Sequence, residues 1–118
     1  MTRATIWHNP RCSKSRETKK LLEDKGVELD VRLYLEDPPS KALLKKTLKQ
    51  LGMKPRDLLR KKEEAYAEAG LDDEKRSDDQ VLEAMIEHPI LIERPVVVVG
   101  DEAVLGRPPE NVLALLER

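Results

Sequence analysis

The chain has 118 residues, a formal net charge of -1, and nearly equal shares of hydrophobic (39%) and charged (38%) residues. That is the size of one domain, with apolar residues enough for a real core and no basic excess to suit nucleic acid or an anionic membrane surface. Phe is absent and aromatics are 3%, so Leu, Val, Ile and Ala must build the interior, and any anion site must come from local arginines.

Residues 5–7 read as a short first strand, broken by Asn9-Pro10. Residues 13–25 read as a helix with Thr18, Leu21 and Leu22 inward and Gly26 where a terminating glycine belongs. Val27, Leu29, Val31 and Leu33 then alternate with Glu28, Asp30 and Arg32, the period of a half-buried strand. Strand, helix and strand make a βαβ unit, which implies a parallel pair with a right-handed crossover.

The middle reads as helical. Ser40 is placed to cap a helix carrying Leu44, Leu48 and Leu51, which Gly52 stops. Pro55 can open another, with Leu58 and Leu59 inward. Ser77 and Gln80 have capping-box spacing ahead of Val81, Met85 and Ile86. Pro95 precedes four valines, Gly100-Asp101, and then Val104 and Leu105, the pattern of a β-hairpin. Pro108-Pro109 opens a last helix bearing Val112, Leu113 and Leu116. The order predicts one α/β domain over residues 1–118 with a thioredoxin-like mixed sheet, βαβ plus ββα, and a helical insertion over about residues 40–88.

The chemistry concentrates in HNPRCSKSRET, residues 8–18, which holds the only cysteine, Cys12, among Arg11, Lys14 and Arg16. One cysteine excludes an internal disulfide and a CxxC pair. At the start of a helix, unsatisfied N–H groups and the helix dipole favour an anion, and with cations nearby they lower a thiol pKa from ~8.5 to roughly 3.5–7.5. The same N–H groups, through Ser13, Lys14, Ser15 and Arg16, can cradle a tetrahedral oxyanion. A buried inert cysteine is the plainer alternative, but its polar neighbours disfavour it. A phosphatase loop would place an arginine six residues after the cysteine, where this chain has Thr18. His8 and Cys12 suggest a metal pair, yet with His88 the only other histidine a zinc site lacks ligands, so neither a metal nor a bound cofactor is expected.

Arg94 and Arg107 flank the hairpin, so both can lie at one end of the sheet, and planar guanidinium groups suit an oxyanion. Arg60, after Leu58-Leu59, could equally be a surface charge. Pro95 stands where thioredoxin-like folds carry a cis-proline facing the active cysteine. No apolar run reaches membrane-spanning length, and MTRATIWHNP lacks the apolar stretch of a signal peptide, so a cytoplasmic protein with a reduced thiol and no membrane partner is expected.

With HNPRCSKSRET, LYLE, LLR, ERPVVV and GRPPE in order, the chain resembles the ArsC-type, glutaredoxin-dependent arsenate reductases, above all their short members, along essentially its whole length. The resemblance implies that Cys12 is the nucleophile and that Arg60, Arg94 and Arg107 bind the oxyanion and stabilise the transition state. It also implies that the histidine at position 8 keeps the thiolate ionised and that Ser15 hydrogen-bonds near the sulfur. Longer members carry extra C-terminal residues. The implied reaction reduces arsenate to arsenite with glutathione as co-substrate and glutaredoxin as partner, in a protein expected to be monomeric. Two alternatives remain open: a thiol oxidoreductase acting on glutathione mixed disulfides, and a non-catalytic, Spx-like partner of RNA polymerase.

Overall fold

Ala4 and Ile6 alternate along β1 (Arg3–Trp7) and are both buried, so the first strand anchors the interior. The computed structural model describes residues 2–116. They form two units, one taking the chain up to Asp37 and again from Arg94, the other Pro38–Glu93.

In the first unit the chain passes from β1 through α1 (Ser13–Asp24) to β2 (Glu28–Arg32), which pairs parallel with β1. Gly26 leaves the helix with φ 74, a left-handed conformation that favours glycine. β3 (Val96–Val99) lies antiparallel to β1, and β4 (Glu102–Leu105) antiparallel to β3. Gly100 and Asp101 form the expected two-residue turn, and the strand order is β2-β1-β3-β4. Ala4, Ile6, Leu22, Val27, Val97, Val112 and Leu115 meet in one aliphatic core, as the lack of Phe required.

Two expectations are corrected in this unit. The alternation of β2 does not bury all its apolar residues: Val27 and Leu29 reach the core, but Val31 and Leu33 are 43% and 39% exposed. The strand is an edge strand with a neighbour on one side only, and its second half runs out from under the core. The last helix begins as a 3₁₀ turn, Pro109–Val112, followed by the short α5 (Leu113–Leu116). Leu115 is its buried residue, whereas Leu113 and Leu116 are half-buried.

In the second unit Ser40 caps α2 (Lys41–Leu51) by accepting from the Leu43 N–H, and Gly52 ends it with φ 69. Pro55 opens a 3₁₀ turn, Pro55–Leu58, that leaves Leu58 and Leu59 buried. The short α3 (Glu64–Glu68) was not expected; it buries none of its residues and so leaves no apolar period to read. Ser77 and Gln80 form the expected capping box of α4 (Asp78–Glu87), whose Val81, Leu82 and Met85 are buried while Ile86 is half-buried. A 3₁₀ turn, Pro89–Leu91, and a lone bridge between Leu59 and Ile92 close the unit, so it runs on to Glu93 beyond the helical stretch expected from sequence.

Candidate active site

Register brings the separate sequence signals together. Arg32, Trp7, Val96 and Leu105 are successive partners across the sheet, one rung from β2 to β4. Four segments leave that rung at the same end: the turn after β2, the cysteine loop after β1, Arg94-Pro95 before β3, and Gly106-Arg107 after β4. The Arg94–Pro95 peptide is cis, as expected for this position, and so is Arg107–Pro108.

Cys12 is the N-cap of α1, 9% exposed, and its side chain makes no capping bond. The loop before it is tied down by buried Asn9. The Asn9 carbonyl accepts from the Cys12 N–H at 3.0 Å, its Oδ1 accepts from the Arg11 N–H at 3.0 Å, and its N–H donates to Ser15 Oγ at 3.0 Å. Burial pushes the Cys12 thiol up, but the Ser15 N–H, the Arg94 guanidinium and the Lys14 N–H outweigh it and hold the pKa below the ordinary cysteine value. Helix N-terminal amides and a buried guanidinium around a thiol favour its thiolate, the form that can act as a nucleophile.

The two hairpin arginines are coupled to each other. Arg94 is 8% exposed and bonds the sulfur, while the exposed Arg107 donates from Nε to the Arg94 carbonyl at 2.7 Å and points Nη2 at Sγ from 3.7 Å. The backbone of one arginine thus orients the other.

His8 and Ser15 are both buried, and His8 Nδ1 lies 2.7 Å from Ser15 Oγ. Burial, then the charges of Lys19 and Arg16, hold His8 below its usual pKa, so near pH 7 the ring is neutral. It therefore brings no cation to the thiolate, and its bond is to Ser15 rather than to sulfur. Ser15 meets the sulfur through its backbone N–H, its hydroxyl being engaged by His8 and Asn9.

The pattern described as the ArsC family matches residues 7–115. The chain belongs to the ArsC family. It is 51% identical over 112 residues to a protein of Escherichia coli (strain K12) named uncharacterized protein YfgD, covering 94% of both chains. It is 47% identical over 116 residues to an Escherichia coli arsenate reductase, covering 98% of this chain and 82% of that longer relative. Among solved structures, the arsenate reductase from Vibrio cholerae superposes with a TM-score of 0.93 at 51% identity, covering 96% of this chain and 97% of the other. The fold is thioredoxin-like, as in its ArsC neighbours.

Arg16, Lys14 and Arg60 differ from expectation in their surroundings. The Arg16 N–H donates to the Cys12 carbonyl at 3.0 Å as the helix's own bond, so the amide cradle narrows to residues 13–15. The Arg16 guanidinium turns back to the Pro10 carbonyl at 2.9 Å, and Lys14 Nζ lies 3.6 Å from Glu17. Arg60 is held by two carboxylates of its own unit, Nη1 on Glu93 Oε1 at 2.6 Å and Nε on Glu63 Oε1 at 3.2 Å. Burial works against its charge, but Glu93 and Glu63 raise its pKa overall.

Three ArsC-site residues escaped the sequence reading. Asn9 was visible only as a loop breaker. Thr18 Oγ1 donates to the Lys14 carbonyl at 2.7 Å and lies 3.3 Å from the Gly106 carbonyl. A Cβ on Gly106 would stand 2.7 Å from Thr18 Oγ1 and 2.8 Å from Pro95 Cγ, so α1, Pro95 and the strand end approach as closely as they do because that residue has no side chain. A glycine directly before Arg107-Pro108 was the available signal. Among the described residues no group of three or more His, Cys, Asp or Glu side chains could hold a metal ion, and no helix is long and apolar enough to cross a membrane.

Proposed function

We propose that the protein reduces arsenate to arsenite through Cys12, with glutathione and glutaredoxin as reductants. The observation that carries this reading is the thiol itself: Cys12 caps α1 with its pKa lowered by the Ser15 amide and the buried Arg94 guanidinium, and Arg107 stands 3.7 Å away.

The Cys12 thiolate attacks the pentavalent arsenic of arsenate. An As–S bond forms, an As–O bond breaks, and the oxygen leaves as water after taking up a proton. Arsenic remains pentavalent, and the cations of Arg94 and Arg107 offset the charge crowding onto its oxygens. The single cysteine leaves nothing in the chain to form a disulfide, so the electrons come from external thiols. The glutathione sulfur bonds to arsenic and a second water departs. A glutaredoxin thiolate then attacks the glutathione sulfur, forming a mixed disulfide and leaving an electron pair on arsenic. Arsenic is now trivalent; water displaces Cys12 and arsenite leaves. Two thiols have been oxidised for one arsenic reduced.

Arg60 is the third arginine of this proposal. Its two carboxylate partners, Glu93 and Glu63, must give up part of its guanidinium before it can hold an anion. The protein works as a single-domain monomer in the cytoplasm, with Pro95 bordering the site.

Arsenite formation from arsenate, glutathione and glutaredoxin is the test, with Cys12→Ser as the control. Wild type should produce arsenite and Cys12→Ser none. Equal rates in the two proteins, or cleavage of glutathione mixed disulfides with no arsenite formed, would overturn the proposal.

A further inference from the structure

Beside the cysteine loop lies a cavity of about 320 Å³ lined by His8, Asn9, Pro10, Arg11, Leu33, Leu35 and Glu36. All of these belong to the first unit, and the His8 N–H bond to the Arg32 carbonyl at 2.8 Å joins the two walls. The second wall is a turn in which the Glu36 and Asp37 N–H groups both donate to the Leu33 carbonyl. That turn buries Tyr34 completely and leaves its neighbours Leu33 and Leu35 39% and 37% exposed. Large apolar side chains left open at a concave surface suit a ligand better than bulk water.

The charges at the mouth are of opposite sign. Several charged side chains of this unit are paired: Arg3 with Asp30, Lys14 with Glu17, Lys19 with Glu23, and Arg32 with Asp37. Arg11 and Glu36 are exposed and enter none of the ion pairs among the described residues. Arg11 directly precedes Cys12, so the cavity lies on the loop that carries the sulfur.

We infer that this cavity seats the small peptide thiol that attacks the arsenic on Cys12, a zwitterion of the glutathione type. Arg11 takes a carboxylate in its planar fork, Glu36 takes the ammonium group, and Leu33 and Leu35 cover the aliphatic part of the peptide. The bound thiol forms its S–As bond as water leaves, its proton going to the departing oxygen. The inference rests on the reading of the protein as a glutathione-using reductase.

Two measurements test it. In the first, S-methylglutathione, which binds without reacting, is titrated into the protein while backbone amide shifts are followed by NMR. Shifts should concentrate at residues 9–11 and 33–36 and vanish in Arg11→Glu. In the second, steady-state kinetics with arsenate and glutaredoxin should show Arg11→Glu and Glu36→Lys each raising KM for glutathione roughly tenfold, the size of a lost bond to a charged group. In Glu36→Lys, KM for arsenate and the Cys12 titration should stay put. Arsenate reduction with a silent cavity, or charge reversals that leave the glutathione KM unchanged, overturns the cavity assignment alone. Shifts in the cavity without arsenite formation support the cavity and overturn the arsenate reading instead, and silence in both experiments overturns both.

Discussion

Arg94 and Arg107 stand at comparable places in the sequence, yet the sulfur sees them differently. Arg94 is buried and helps to ionise the thiol, whereas Arg107 is exposed, hangs from the Arg94 carbonyl and reaches Sγ only at 3.7 Å. Arg94→Lys should therefore raise the Cys12 midpoint, read from thiolate absorbance against pH, while Arg107→Lys barely moves it. Both should lower kcat/KM for arsenate by up to about 100- to 1000-fold if each guanidinium is a preorganised donor in the transition state. Equal titration shifts in the two variants would contradict the geometry. The same thiol links activity to stability. Its folded pKa lies below the unfolded value, so its contribution is present in full above the unfolded pKa and is lost as pH falls through the folded one. Urea denaturation should show wild type gaining stability relative to Cys12→Ser as pH rises from neutral toward the ordinary cysteine pKa, and a flat difference would refute it.

The elements meet the site through one contact that no local rule announces. Gly106 follows β4 and abuts Thr18 of α1 and Pro95 ahead of β3, so three elements converge on a residue without a side chain. Gly106→Ala should cost about 1–3 kcal/mol as an overpacking change. It should also lower activity, because the cysteine helix must shift against Pro95. Pairing it with Thr18→Ala should recover part of the loss, since Thr18 supplies the nearest atom; no recovery in chemical denaturation would place the strain elsewhere.

Across the whole molecule the net charge is only -1, so no long-range field draws an oxyanion in. Attraction must come from Arg94, Arg107 and the helix amides at short range, and a buried guanidinium is screened little by salt. Between about 20 and 200 mM salt, kcat/KM for arsenate should change by less than about threefold, well short of the steep dependence of electrostatically steered association. A steeper fall would mean that exposed charges outside this set, Lys14 among them, carry the binding.

Local chemistry was legible in the sequence. Gly26 and Gly52 end their helices, Ser40 and the Ser77–Gln80 pair begin theirs, and Gly100-Asp101 turns the hairpin, because each requirement lies within one turn of backbone. Cys12 at a loop-to-helix junction marked a thiol open to helix amides for the same reason, whereas the cation that lowers its pKa is the distant Arg94. Other features depended on neighbours distant in sequence. Edge position left Val31 and Leu33 in the open, and strand register put Arg94, Arg107 and Cys12 at one end of the sheet. The Asn9 and Ser15 contacts fixed which groups face the sulfur, the Gly106 approach set the helix against Pro95, and Arg60 found Glu93 33 positions along the chain. Sequence alone determined most of the elements and the candidate thiol, since propensity, capping and amide polarity act over a few residues. Only the tertiary structure decided which groups surround that thiol, because partners far apart in the chain are chosen by strand pairing and close packing.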